Sequence, residues 1–114
     1  MDLYAANHQV ITVDLQGHGR TADIDRALDL AAMGRDIAAL IEHLGLDRPD
    51  LMGYSLGGGV AFNTAVQRPE LIRKLVTVSA HMWRSAIYPE MLVQQGQVTE
   101  EAVEALKPTP MYQE

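Results

Sequence analysis

Three short apolar runs alternate with two helical segments along residues 9–79. The first run, QVITVDL at 9–15, contains β-branched residues and predicts a buried strand that ends near Asp14. The second run predicts a very short strand at 50–54, and the third, KLVTVS, predicts one at 74–79. Strands that alternate with helices through short connections predict βαβ crossovers, so the fold class is α/β with a mostly parallel sheet of three strands.

The two helices are predicted from apolar spacing and from residues that end a helix. The first covers 28–45, where Gly45 is a suitable stop, and Gly34 indicates either close packing or a weak point. Its predicted apolar face consists of Leu30, Met33, Ile37, Leu40, Ile41 and Leu44. The second helix runs over about 56–67 and ends ahead of a proline, and 69–73 predicts one further helical turn.

Beyond the third strand the pattern changes. Two short helical segments are predicted on either side of Gly96, near 88–95 and 99–106, before the sequence LKPTP breaks the chain. We therefore expect residues 1–80 to form the α/β core and 81–114 to form an appendage that lies over the sheet.

Charge and composition exclude several classes of partner and chemistry. The 114-residue chain carries 9 basic and 15 acidic side chains, and its net charge of −6 repels a phosphate backbone, so no nucleic acid partner is expected. The absence of cysteine excludes disulfides and thiolate chemistry. No stretch is long and apolar enough to cross a bilayer and no leader pattern opens the chain, so we expect a single-domain cytoplasmic protein without a membrane partner.

The stretch GYSLGGG at 53–59 lies between a predicted strand and a predicted helix. In a nucleophile elbow a serine occupies a strained turn at this place, and the residues two before and two after it must be small. Gly53 and Gly57 meet this requirement around Ser55. The alternative is a glycine-rich turn that binds a phosphate or nothing, but neither the dinucleotide-binding glycine pattern nor the phosphate-loop Lys-Ser/Thr ending is present.

An elbow would also place Ser55 at a helix N-terminus, where free backbone N–H groups and the helix dipole favour negative charge. The N–H of Leu56 is then a candidate oxyanion donor. Such a donor contributes about 3–4 kcal/mol to transition-state stabilisation. Gly58 and Gly59 would let the helix approach the sheet closely.

The motif VDLQGHGRT, the elbow and their spacing resemble the α/β-hydrolase family, in its branch of small esterases, lactonases and cofactor-free perhydrolases. The resemblance covers about residues 8–80. It implies a partial α/β-hydrolase core in 1–80, the beginning of a helical cap in 81–114, and a loop whose backbone N–H groups are held by Asp14.

The resemblance further implies a Ser-acid-His triad with Ser55 as nucleophile and with the acid and the base expected beyond this sequence. Of the histidines, His8 precedes the first strand at the opposite edge, and His43 belongs to the last turn of a helix. His18 and His81 follow strand ends on the same edge as Ser55. Because neither has an evident acid to orient it, we interpret them as pocket-lining residues.

A strand ahead of residue 1 is also implied, between the strand at 9–15 and the elbow strand at 50–54. Without it, two rows of backbone groups would lack partners. We therefore expect the chain to be a central fragment of a longer hydrolase, and expect self-association through these strand edges.

The function implied is hydrolysis of a small carboxylic ester or lactone through an acyl-enzyme on Ser55. The candidate substrate-binding residues are Tyr54, His18, His81, Met82 and Trp83. No metal or organic cofactor is expected. Two alternatives stay open: peroxide-dependent perhydrolysis on the same triad, and a non-catalytic fragment or binding module that keeps the elbow without its partners.

Overall fold

The computed structural model describes residues 2–80, and the predicted cap at 81–114 lies outside the described residues. Two helices, a 3-10 turn and two strands follow a four-residue N-terminal helix. They are α1 (Asp2–Ala5), α2 (Leu30–His43), β1 (Asp50–Tyr54), α3 (Leu56–Gln67), the turn (Pro69–Leu71) and β2 (Lys74–Val78). Apart from α1, these bounds lie within two residues of the predicted helices and the second and third predicted strands.

The two strands form a parallel pair, and α3 connects them. Their register runs from Asp50 opposite Lys74 to Tyr54 opposite Val78. At the start of the pair, the guanidinium of Arg73 donates to both carboxylate oxygens of Asp50, over 2.9 Å from Nε and 2.6 Å from Nη2. The parallel βαβ arrangement predicted for this part of the sequence is confirmed.

The predicted strand at 9–15 is absent. Within residues 2–80 the sheet has two strands, and β1 and β2 pair only with each other. Val10, Ile11 and Val13 are 40–43% exposed, so this run is not buried either. A strand needs a neighbour whose N–H and C=O groups complete its ladder, and no described strand lies beside this segment. The prediction of a buried third strand was therefore wrong for the described part of the chain.

Helix α2 has defined caps at both ends. The carboxylate of Asp29 accepts the N–H of Ala32 over 2.9 Å at the N-terminus. At the C-terminus Gly45 has φ +62°, and the N–H groups of Gly45 and Leu46 donate to Glu42 and Ile41. This pair of bonds is a Schellman motif, which needs the left-handed residue that glycine supplies. The sequence therefore predicted the C-terminal stop correctly.

The hydrophobic core lies where α2 packs against α3 and the chain entering β2. Its buried members are Met33, Ile37, Ile41, Val60 and Ile72. Leu30 lies at its border, whereas Leu44 is 46% exposed. Leu44 was expected on the buried face, but as the C-cap residue it leaves the helical stripe.

Gly34 marks close packing of α2 on α3. A Cβ added to Gly34 would lie 3.0 Å from the backbone nitrogen of Thr64 and 3.1 Å from Cβ of Asn63. The fully buried hydroxyl of Thr64 lies 3.2 Å from the Gly34 carbonyl and 2.9 Å from the Val60 carbonyl. Gly34 therefore allows the two helix backbones to come into contact, and of the two interpretations, close packing and a weak point, the structure supports close packing.

Candidate active site

Ser55 forms the junction between β1 and α3 and has an unusual backbone. Its φ of +50° and ψ of −116° lie outside the regions that L-residues normally occupy. Its N–H donates to the carbonyl of Val78 over 2.9 Å, and its carbonyl accepts the N–H of Gly59 over 3.1 Å. The side chain makes no capping bond to the helix, and the residue is exposed. The hydroxyl is therefore presented to solvent on a strained turn.

Two glycines make this turn possible, and they are not the pair that the sequence suggested. A Cβ on Gly53 would lie 2.1 Å from the Gly57 carbonyl oxygen, so Gly53 must be glycine. A Cβ on Gly57 would meet no heavy atom within 4 Å, so the contacts at this position do not require glycine. The second crowded position is Gly58, where a Cβ would lie 2.5 Å from Cβ of Ala80 and 3.1 Å from the Gly53 carbonyl oxygen.

The first turn of α3 offers free donors beside Ser55. The N–H groups of Leu56, Gly57 and Gly58 have no acceptor among residues 2–80. The first turn also contains no acidic side chain to neutralise the positive end of the helix dipole. This end of α3 can therefore stabilise negative charge that develops next to Ser55.

The loop after the segment 9–15 is held by Asp14, as expected. The carboxylate of Asp14 accepts the backbone N–H and the Nε–H of Arg20, both over 3.1 Å. These hydrogen bonds, led by the one from the backbone, lower the pKa of the carboxyl from its ordinary value. Gly19 has φ +53°, and a Cβ there would lie 2.6 Å from the Asp14 carboxyl carbon. The loop therefore wraps closely around this carboxylate.

His18 lies in this loop and is exposed. Its Nδ1 is 2.8 Å from the Gln16 carbonyl oxygen. Because a carbonyl only accepts, Nδ1 carries the proton, and in the neutral ring Nε2 is left as an acceptor. The imidazole is thus oriented by a backbone group, and no carboxylate bonds to it among the described residues.

A polar network that the sequence did not indicate fastens the rest of the loop. Gln16 is 6% exposed, and its Nε2 donates to Asp23 over 2.8 Å and to the Arg26 carbonyl over 3.0 Å. The Arg26 guanidinium donates to the Gln16 side-chain oxygen and to both oxygens of Asp36 in α2. Nothing in the pattern of isolated polar residues could have shown that these four side chains meet.

The predicted site residues are brought together only in part. Tyr54, Ser55 and Leu56 are consecutive at the elbow, and Tyr54 is 69% exposed. The Ser55 hydroxyl has no hydrogen-bond partner within residues 2–80, so no described histidine or carboxylate contacts it. His43 occupies the last turn of α2, as predicted. Three further candidates, His81, Met82 and Trp83, lie outside the described residues.

Residues 2–80 contain neither a metal-binding cluster nor a membrane-spanning helix. No three histidine or acidic side chains in this part of the chain are grouped so that they could hold a metal ion. None of the helices described is long and apolar enough to cross a membrane.

Comparison with known proteins identifies the family. A family model for the alpha/beta hydrolase fold matches residues 2–107. "Putative carbamate hydrolase RutD" of Rhizobium rhizogenes is 37% identical over 87 residues, which are 75% of this chain and 32% of RutD. The "Dihydrolipoyllysine-residue acetyltransferase component of acetoin cleaving system" of Pseudomonas putida is 35% identical over 104 residues, 91% of this chain and 28% of that protein.

A "Putative esterase/lipase" of Haemophilus influenzae is 29% identical over 75 residues, 66% of this chain and 26% of that protein. The matched region thus spans about a third or less of each of these relatives. Since the family match covers most of the sequence, the chain belongs to the α/β-hydrolase family.

Proposed function

We propose that Ser55 is the nucleophile of a serine hydrolase that acts on a small carboxylic ester or lactone. The observation that carries the proposal is the backbone of Ser55, with φ +50° and ψ −116° in an exposed turn between strand and helix. Strain of this kind persists only where the surroundings enforce it, and it concentrates at functional sites. The hydrolase and esterase names of two relatives support the reaction class.

In the proposed reaction the Ser55 hydroxyl oxygen attacks the carbonyl carbon of the ester while its proton passes to a general base. No described histidine or carboxylate fills this role, because none bonds to the Ser55 hydroxyl. The carbonyl oxygen becomes an oxyanion and accepts the N–H of Leu56, which has no other acceptor in residues 2–80. Collapse breaks the ester C–O bond: the alcohol oxygen takes the proton back from the protonated base, and the acyl group stays on Ser55. Water then attacks this acyl-enzyme and releases the acid.

Substrate contacts are proposed for five residues, of which only Tyr54 adjoins Ser55 in the described structure. Tyr54 precedes the nucleophile and is largely exposed, so its ring can form a wall beside the acyl group. His18 offers Nε2 as a hydrogen-bond acceptor because Nδ1 is bonded to the Gln16 carbonyl. His81, Met82 and Trp83, which come after Ser79 and Ala80 in the sequence, complete the proposed set.

A fluorophosphonate probe, which reacts with activated serines, tests the assignment. The chain contains three serines, Ser55, Ser79 and Ser85, so the labelled position can be assigned by substitution. We expect wild type and Ser85→Ala to be labelled and Ser55→Ala to be unlabelled. Absence of labelling in the folded wild type would contradict the proposal and favour the non-catalytic module.

A further inference from the structure

β2 is followed by a second residue with positive φ, directly beside the elbow. Ser79 has φ +52°, a conformation that is uncommon for residues other than glycine. It follows Val78, which is in register with Tyr54, so Ser79 and Ser55 are the next residues along the two paired strands. Two serines with nearly equal positive φ values therefore leave the sheet side by side.

The residues on either side of Ser79 contact the elbow at two different points. Before the turn, the Val78 carbonyl accepts the N–H of Ser55 over 2.9 Å. After the turn, Ala80 packs on the first turn of α3, since a Cβ added to Gly58 would lie 2.5 Å from the Ala80 Cβ. The turn thus holds the elbow on the strand side of Ser55 and on its helix side.

We propose that the turn Val78–Ala80 fixes the reactive backbone conformation of Ser55, with Ser79 as a positioning residue. The proposal concerns the nucleophile and so rests on the function assigned to Ser55 above. Ser55 does not stabilise its own strained conformation through its side chain, which makes no capping bond. External contacts must therefore hold it, and the turn supplies one hydrogen bond and one packing contact.

The role of Ser79 in this arrangement is conformational. Its hydroxyl makes no hydrogen bond within the part of the chain that the structure describes. What the turn needs is a residue that tolerates positive φ, which glycine and asparagine do and a β-branched residue does not. Ser79→Gly and Ser79→Asn should therefore preserve the positioning of Ser55, and Ser79→Val should disrupt it.

Ala80→Val provides a second variant that leaves Ser79 unchanged. The two added methyl groups must be accommodated against Gly58, where the backbone of α3 leaves little room. Ile72→Val is the control for a general loss of stability, because Ile72 is a core residue at the opposite end of β2.

The first readout is hydrogen exchange of the Ser55 amide, measured by NMR on the full 114-residue chain. We expect Ser79→Val and Ala80→Val to accelerate this exchange about tenfold relative to the amides of α2, a factor that corresponds to about 1.4 kcal/mol. We expect Ser79→Gly, Ser79→Asn and Ile72→Val to change the same ratio less than about twofold. Equal exchange in Ser79→Val, Ala80→Val and wild type would overturn the proposal.

The second readout is the rate of fluorophosphonate labelling per folded molecule, which a purely structural role would not change. We expect it to fall about tenfold in Ser79→Val and Ala80→Val and to be retained in Ser79→Asn. Faster amide exchange with unchanged labelling would show that the turn does not position the nucleophile. If wild type is not labelled at all, the proposed function fails, and amide exchange alone decides whether the turn holds Ser55.

Discussion

At the scale of single residues, the elbow depends on positions where the backbone leaves no room for a side chain. Gly53 and Gly57 are both glycines of the motif, but an added Cβ collides with backbone only at Gly53. The sequence alone treats them as equivalent because spacing carries no information about which atoms approach. The three-dimensional contacts separate one position that requires glycine from one that does not.

This difference gives a matched pair of substitutions. Gly53→Ala should lower the free energy of unfolding by about 1–3 kcal/mol or more, because its Cβ would lie 2.1 Å from the Gly57 carbonyl oxygen. Gly57→Ala should be neutral or stabilising by up to about 1 kcal/mol, since alanine favours the helix. Urea unfolding monitored by circular dichroism measures both, and equal destabilisation by the two changes would contradict the contacts described.

The hydrogen bonds of the Asp14 carboxylate predict how the stability of the fold changes at acid pH. Its folded-state pKa is lowered by the Arg20 bonds, so its stabilising contribution is complete above the ordinary value of 3.8 and is lost as pH falls through the lower folded-state value. Asp14→Asn should therefore lose less stability than wild type when the pH falls from about 5 to about 2. Urea unfolding followed by circular dichroism at a series of pH values measures the difference, and equal losses in Asp14→Asn and wild type would contradict the lowered pKa of Asp14.

At the scale of elements, the sequence predicts what depends on local pattern. The bounds of α2, β1, α3 and β2 follow from apolar spacing, Gly45 and the proline after α3. The segment 9–15 has the composition of a strand, but a ladder also requires a neighbour, and composition does not show one. In the same way, Arg26 links Gln16 to Asp36, which lies 20 positions away in the sequence. No local pattern reveals a network of this kind.

The packing of α2 on α3 can be tested at Gly34. Gly34→Ala improves helix propensity by about 1 kcal/mol, but the new methyl group would lie 3.0 Å from the Thr64 backbone nitrogen. Because the backbone of α3 cannot move aside as the end of a flexible side chain can, we expect the steric cost to exceed the gain and the melting temperature to fall. A higher melting temperature would show that the helices separate easily and that their contact is looser than described.

At the scale of the whole molecule, exposed apolar residues occur in two segments whose backbone is not fully paired among residues 2–80. Ile11 and Val13 in the segment 9–15, and Met52 on β1, are 43–57% exposed, and β1 pairs on one side only among residues 2–80. Exposed strand edges of this kind promote association with another chain. We propose that the 114-residue chain self-associates through these residues.

Sedimentation equilibrium at increasing protein concentration tests this association. Met52→Lys should shift the chain towards the monomer, because Met52 is exposed on β1, whose other edge has no partner among residues 2–80, and a lysine there opposes edge-to-edge pairing. Val66→Lys is the matched control, since Val66 is a 62% exposed valine on α3 and should leave the association unchanged. A wild-type chain that stays monomeric at all concentrations would contradict the proposal.

Trapping the acyl-enzyme tests whether Ser55 is a reactive nucleophile. The chain is mixed with p-nitrophenyl acetate, the reaction is stopped with acid, and the acetylated peptide is identified by mass spectrometry. We expect an acetyl group on the peptide that contains Ser55, and none on that peptide in Ser55→Ala. Acetylation that spreads over other residues, or that persists on this peptide in Ser55→Ala, would contradict the assignment of Ser55 as the nucleophile.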